Sequence, residues 1–384
     1  MLMNENKTRT LAALLSLCGV AAAAQGFNSG SDGSYGPLNV TSNTVLNVPT
    51  NGIFNCTTIN VQAGTTLRFN PNPLNTPVYL LATGGVVIAG VVNVDGQTAS
   101  GQNGGAGGPG GFAGGTGGLN TIPPGAGYGP GAGLAGQDNS GGTMGAGRAS
   151  YGVAANSAST NNGAPYGSPL LMPLVGGSGG GGSPGNPGQG GGGGGGAVLI
   201  ASNTKITFNS GNSITAIGGG GGAGGSGGAI RLVSQRIEGA PQMNASVQDG
   251  NAGLGRIRVD VIERDALNLS IDTRYMSAGS FLQVFPAPNA RLDIIQAAGT
   301  NIAEGNSGPV VIELPFGSAT NRTVTVQARD FAAVVPIRLT LTPEAGVPQV
   351  YDATIDNVAA NPATNIFNVT VPVNTRVGVN AWTR

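Results

Sequence analysis

From Gly190 to Gly250 the chain alternates short β-rich segments with runs of almost pure glycine. Gly190–Gly196 is unbroken glycine and leads into AVLIAS; TKITF and SITAI follow, and then GGGGGAGGSGGA leads into AIRLVSQRIEG. Glycine loses more conformational freedom on ordering than any other residue. A glycine run inside folded structure therefore implies that neighbouring backbones approach too closely for a Cβ. The flanking hexamers are rich in valine, isoleucine and leucine, which is strand chemistry. Together they describe a scaffold of stacked short strands.

Four segments share one order: 77–97 (PVYLLATGGVVIAGVVNVDGQ), 197–219, 229–250 and 256–272. Each opens on an apolar strand and continues with a shorter alternating one, and the first three add a third strand ending in a glycine turn. Such units bury their apolar rows only by stacking, so the pattern predicts a right-handed parallel β-helix, a solenoid, over 27–272. A plain antiparallel sandwich is the competing reading. Upstream, PLNV, TVLNVP, IFNCTTINV and TTLRF extend the strand series, and no segment has a capped helical period.

Residues 97–196 form a glycine-rich insertion between the first two copies. Within it, GGAGGPGGFAGGTGGL (104–119) keeps a three-residue period with one slip at Phe112 and Ala113. That period fits an extended threefold helix whose glycine faces allow hydrogen bonding between neighbouring chains. Leu119, Ile122, Tyr128, Tyr151, Tyr166, Leu170, Leu171, Met172 and Leu174 supply anchors. Disorder of 97–176 is the alternative on composition alone. Beyond Phe281, glycine falls to ordinary levels. FLQVFP, RLDIIQ, PVVIELP, RTVTVQARDF, PIRLTLTP, QVYDATID, IFNVTVP and TRVGVNAW then predict an immunoglobulin-like or fibronectin-like β-sandwich over 280–384, with MSAGS as the connector.

Composition narrows the function classes. The 384 residues include 71 glycines, no histidine and equal numbers of acidic and basic groups, 17 each. A neutral chain lacks the basic footprint of a nucleic-acid binder. Without imidazole, histidine-dependent hydrolase mechanisms and histidine-ligated zinc are excluded. Residues 1–24 read as a signal peptide: Lys7 and Arg9, the apolar LAALLSLCGV, then Ala22–Ala24 before Gln25. Export to the cell surface or medium is the expectation. Cys18 would suit a lipoprotein signal, but Leu17 stands where a small residue is needed. Cleavage leaves Cys56 alone, a buried free thiol without a disulfide partner. No later segment is long and apolar enough to span a membrane, and NTRVGVNAWTR carries no anchoring tail.

The run FNSGSDGSYGPLNVTSNTVLNVPTNGIFNCTTINVQAGTTLRF, with NTPVYLLATGGVVIAGVVNVDG, GGGGGAGGSGGAIRLVSQRIEG and GLGRIRVDV, resembles a group of secreted, glycine-rich bacterial proteins. The resemblance spans about residues 27–272 and implies a right-handed parallel β-helix; it carries no catalytic, cofactor-binding or metal residues onto this chain. The three-residue glycine period alone is similar to phage tail-fibre adhesins and glycine-rich antifreeze proteins.

Several motifs carry no site. The GxGxxG-like strings at 219–228 lack the following helix of a dinucleotide fold, and GGSGGGGSPG lacks the lysine of a phosphate loop. The glycine runs lack the aspartates of a calcium β-roll. Asp95-Gly96 and Asp249-Gly250, at equivalent strand ends, read as turns. Within the expected solenoid the acids are few, Asp32, Asp95, Asp138, Glu238, Asp249, Asp260, Glu263, Asp265 and Asp272, and a polysaccharide-cleaving site on that fold would have to draw on them. In RIRVDVIERDALNLSID, Arg256, Arg258 and Asp260 alternate with Ile257, Val259 and Val261, which predicts a solvated charged face; Arg264 lies just beyond. The sequence therefore points to a non-enzymatic structural or adhesive protein, with surface polysaccharide or another matrix component as its partner. A carbohydrate-active β-helix, either a polysaccharide lyase or hydrolase or a glycan-binding module, is the alternative, its enzymatic form favoured if a groove gathers two carboxylates or a carboxylate with Arg231 or Arg236. An ice-binding face would need more threonine rows than Thr57–Thr58 and Thr65–Thr66 supply.

Overall fold

The structure, a computed structural model, describes residues 26–384 except 121, 140–141, 158, 210, 286–289, 307 and 332; the side chains of 138–144 are also outside it. The expected signal peptide and its cleavage point lie outside the described residues. Those described form an all-β protein without helices.

Two parallel sheets take strands from the chain in turn. The larger runs in the order Gly36–Val40, Ile53–Val61, Val78–Ala82, Ala197–Phe208, Ala229–Gly239, Arg256–Glu263 and Met276–Gly279, with Val86–Ile88 pairing beside Ile53–Val61 and Ala197–Phe208. The smaller runs Thr44–Asn47, Thr66–Asn70, Val91–Asn93, Ser213–Thr215 and Met243–Asn244. In both, neighbours in space are successive visits of the chain. The segments aligned by sequence also pair in space: Ala197 opposes Ala229, and Ala229 opposes Arg256. Residues 276–279, expected as a connector, form the final strand of the larger sheet instead.

The first halves of Ala197–Phe208 and Ala229–Gly239 are buried on both faces, which explains why AVLIAS and AIRLVS read as continuous apolar runs. Val198, Ile200, Ile230 and Leu232 enter the core between the two sheets, with Ile257 and Val259 on the next strand. Leu199, Ala201, Ala229 and Val233 point the other way, against Tyr151, Tyr166, Leu171 and Leu174 of the insertion. Four of the predicted anchors thus hold the insertion to the sheet, whereas Leu119, Ile122 and Leu170 stay exposed. Midway along, a serine step ties the strands together: Ser234 Oγ donates to the Ser202 carbonyl at 3.0 Å, and Ser202 Oγ to that of Gly84 at 2.8 Å.

The described residues of the insertion next to the parallel sheets form a backbone lattice. Gly190–Gly196 runs through the middle. Its amides point in turn to three neighbours: those of Gly190, Gly193 and Gly196 to the carbonyls of Gly101, Gln97 and Val94; those of Gly191 and Gly194 to Gly115 and Phe112; those of Gly192 and Gly195 to Ala223 and Ser226. Its carbonyls accept from three more: from Gly222 and Gly219, from Gly105 and Gly108, and from Gly180 and Gly177. One extended strand surrounded by six, with hydrogen bonds turning every third residue, is the packing of threefold glycine helices. A Cβ built at any of Gly190–Gly196 would come within 3.0 Å of neighbouring backbone. The 218–228 run belongs to the same lattice, so the two glycine segments form one layer.

The slip in the three-residue period marks a reversal. Gly111 N donates to Gly108 O at 2.7 Å across a turn with Pro109 and Gly110 at its centre, and Gly110 has φ +76°. Pro at the second position and a left-handed glycine at the third define a type II turn. The period restarts at Ala113 because a new strand starts there.

C-terminal to this region, two antiparallel sheets share one apolar core. One has the order Thr300–Asn301, Arg291–Ala297, Asn321–Arg329, Ala363–Thr370; the other Gln349–Asp356, Val334–Pro343, Val377–Thr383. Val324, Val326, Ile337, Leu339, Leu341 and Phe367 fill the space between them. Of FLQVFP and PVVIELP, expected as strands, 281–285 and 309–315 are not strands here, and Pro286 lies outside the described residues. These sheets also touch the glycine layer: Phe112 and Trp382 meet edge to face at 5.7 Å, and Arg338 Nη1 donates to Pro130 O at 3.4 Å.

Candidate functional site

The larger parallel sheet carries a polar trough where its strands leave the glycine layer. One extra residue between Ser202 and Lys205 shifts the register of that strand, and beyond it Lys205, Arg236 and Glu263 occupy one rung of three successive strands. Inward neighbours such as Ile206 and Ile237 are fully buried, so the charged side chains are held outward by the alternation of the strand. Gly85, Asn203, Thr204 and Gln235 complete a trough of about 560 Å³.

Arg236 organises the charges. Its Nε donates to Glu238 Oε1 at 2.6 Å and its Nη1 to Glu263 Oε2 at 3.1 Å. Lys205 Nζ donates to Glu238 Oε2 at 3.0 Å, and Gln235 Nε2 to Glu263 Oε1 at 3.0 Å. Hydrogen bonds from Arg236 and then Lys205 hold the Glu238 carboxyl down at about 2. Glu238 therefore has no proton to donate near neutrality, and a general acid must keep one. What the trough presents is hydrogen-bonding capacity: amides, a hydroxyl, an ammonium and a guanidinium edge around balanced charge.

Of the residues singled out by sequence, Arg236 is thus brought together with two carboxylates, Glu238 and Glu263. Asn203, Thr204 and Gln235 were not foreseen, because the register shift that aligns them leaves no mark in the spacing. Arg231 and Asp260 lie elsewhere. The expectation of a solvated face at Arg256, Arg258 and Asp260 is corrected: Asp260 is 0% exposed, as is Arg231. Insertion and connector cover that face. Asp260 accepts from Arg231 Nη2 at 3.1 Å, from Arg258 Nη2 at 2.7 Å and from the Phe281 amide at 3.1 Å. Burial pulls the Arg231 guanidinium below its ordinary value, and Asp260 opposes this. Arg256 donates to Tyr166 O at 3.1 Å and lies over the Tyr151 ring. Arg264 donates to Gly279 O at 2.8 Å.

The aspartates of the two Asp-Gly pairs tie neighbouring segments together through backbone and side-chain donors. Asp95 accepts from Ile217 N at 2.6 Å, and burial raises its carboxyl above the ordinary range. Asp249 accepts from Arg148 Nε at 2.7 Å and from Gly224 N at 3.2 Å. Asp32 accepts from Ser34 N and Asp272 from Arg274, whereas Asp265 is exposed. The Asp138 side chain lies outside the described residues. Thr65 is buried, which breaks up the threonine pairs as a surface row. Among the described residues no cluster of three or more acidic or cysteine side chains could hold a metal, and no helix is long and apolar enough to cross a membrane. Comparison of the chain with family models, curated proteins and solved structures finds no match.

Proposed function

We propose that this chain is an exported, non-enzymatic structural or adhesive protein of the cell surface or extracellular matrix. In this reading the two parallel sheets are walls of a right-handed parallel β-helix, and the two C-terminal sheets an immunoglobulin-like sandwich. Strand order that follows chain order supports the helix, since a crossover between parallel strands of one sheet is right-handed in nearly all proteins. The resemblance to secreted glycine-rich proteins and the signal-like N-terminus support export.

The observation that carries the reading is the glycine layer. Much of an insertion that composition alone would leave as linker is spent on a dense backbone lattice with little charge. Such a layer gives rigidity. The trough at Lys205, Arg236 and Glu263 supplies contact chemistry suited to hydroxyl-rich polymers, whose donors and acceptors match amides and ion-paired carboxylates. Surface polysaccharide is therefore the proposed partner.

One observation favours the carbohydrate-active alternative: Arg236 brings Glu238 and Glu263 onto the same guanidinium. A single experiment separates the two. The full chain is incubated with a panel of soluble and insoluble polysaccharides, and both depletion of protein and release of reducing ends are scored. The structural reading expects binding that weakens in Arg236→Ala, without product release. New reducing ends that disappear in Glu263→Gln would overturn it.

A further inference from the structure

Two features of the C-terminal region fit each other, although neither is satisfied within one chain. Phe316 is 101% exposed, at the tip of a turn in which Ser318 N donates to Pro315 O at 3.1 Å and Gly317 has φ +78°. A left-handed glycine at the third position makes this a type II turn, with the exposed ring at its second position. Val310, Val311 and Leu314 beside it are also exposed. Among the described residues, 309–314 pair with no strand, although PVVIEL has strand composition. A folded chain rarely leaves so contiguous an apolar segment uncovered without a partner for it.

The second feature is an apolar pocket of about 200 Å³ between the glycine layer and the C-terminal sheets. Pro130, Tyr166 and Val175 form one wall; Leu292, Phe331 and Trp382 form the other. A cavity of about 150 Å³ lined by apolar side chains takes up benzene, so this one has room for a phenyl ring and its methylene. Phe316 does not fill it in its own chain, because the ring is wholly exposed.

We infer that the chain self-associates, with the Phe316 turn of one copy seated in the Trp382 pocket of a second. Ring and pocket are matched in size and polarity, and both are on the same chain. With no net charge, copies do not repel one another. Ring and pocket are different surfaces, so the contact is head to tail and can extend to further copies. This inference stands whether or not the chain binds polysaccharide.

Sedimentation velocity over a wide concentration range tests it, using the full chain. The wild type should show a weight-average sedimentation coefficient that rises with concentration. Phe316→Ser should weaken association by about 30-fold or more, the loss expected at a central aromatic anchor. Trp382, the only tryptophan, lines the pocket, so its emission should shift with concentration in the wild type and not in Phe316→Ser. Ala381→Phe, which fills the pocket, should also be monomeric. Equimolar Phe316→Ser and Ala381→Phe should form a dimer, because one keeps the pocket and the other the ring; misfolded variants would not complement. A wild type that stays monomeric throughout, Phe316→Ser that associates like the wild type, or a mixture without dimer of two variants that both keep the wild-type circular dichroism and cooperative unfolding would each overturn the proposal.

Discussion

Arg231 Nη2 lies 3.1 Å from Asp260 Oδ2 on the neighbouring strand, and both side chains are wholly buried. They join three parts of the chain, since Arg231 also donates to Phe281 O and Asp260 accepts from Arg258 and from Phe281 N. Asp260→Ala would leave the buried Arg231 guanidinium without its counter-charge. Removing one member of a buried pair costs about 3–5 kcal/mol, and that loss is expected in denaturant unfolding. Arg231→Met with Asp260→Met should lose less than Asp260→Ala alone, because Arg258 is then the one guanidinium left without this carboxylate and the fully buried Arg231 charge is gone. Equal losses would contradict the pairing.

The glycine lattice makes a positional prediction. In Gly192→Ala the new methyl meets the Gly219 carbonyl, whereas at Gly250 nothing lies within 4 Å of a Cβ. Backbone cannot move aside as a flexible side chain can. Gly192→Ala should therefore cost about 3 kcal/mol, the upper end for an overpacked site. Gly250→Ala should stay within about 0.5 kcal/mol of the wild type. Similar thermal unfolding of the two variants would contradict the close packing.

Cys56 opposes Ala82 in the core between the parallel sheets, and burial pushes its thiol up to about 11. The thiolate is the reactive form. In a chain carrying Cys18→Ser, Cys56 should resist a thiol reagent at mildly alkaline pH and react at once in denaturant. Rapid labelling of the folded protein would show that the core opens there.

Acid should loosen the trough. Glu238 titrates at about 2 when folded against an ordinary 4.5, because Arg236 and Lys205 favour its charged form. A depressed folded value means that its contribution is present above about 4.5 and is lost as pH falls toward 2. The melting temperature of the wild type should fall across that window, and Glu238→Gln should flatten part of the fall. Asp272, Glu304 and Asp352 are lowered by their own arginines, so some acid sensitivity should remain. An unchanged slope in Glu238→Gln would contradict the assignment.

The parallel strands were legible because their side-chain alternation reports burial directly: Ile257, Val259 and Val261 face the core as read. The opposite face was not. Arg258 and Asp260 look solvated by local pattern, and only the covering segment, distant in sequence, buries them. Phe281–Phe285 and PVVIELP have strand residues without strand partners, since pairing is a tertiary fact that composition does not hold. The three-residue glycine period was visible, and even its slip at Phe112 had a cause. The six-neighbour lattice was not, because chain direction and neighbour choice leave no trace in glycine. The trough was half visible: Arg236, Glu238 and Glu263 stood out as charges, but their meeting depends on the extra residue before Lys205.

Amide hydrogen exchange across 177–196 tests the central claim most directly. If Gly190–Gly196 is held by six neighbours, its amides open only with the layer, and they should be protected as strongly as those of Ala197–Ser202 in the adjoining strand. Complete exchange of the glycine amides within seconds, beside a protected Ala197–Ser202, would show that the layer does not form.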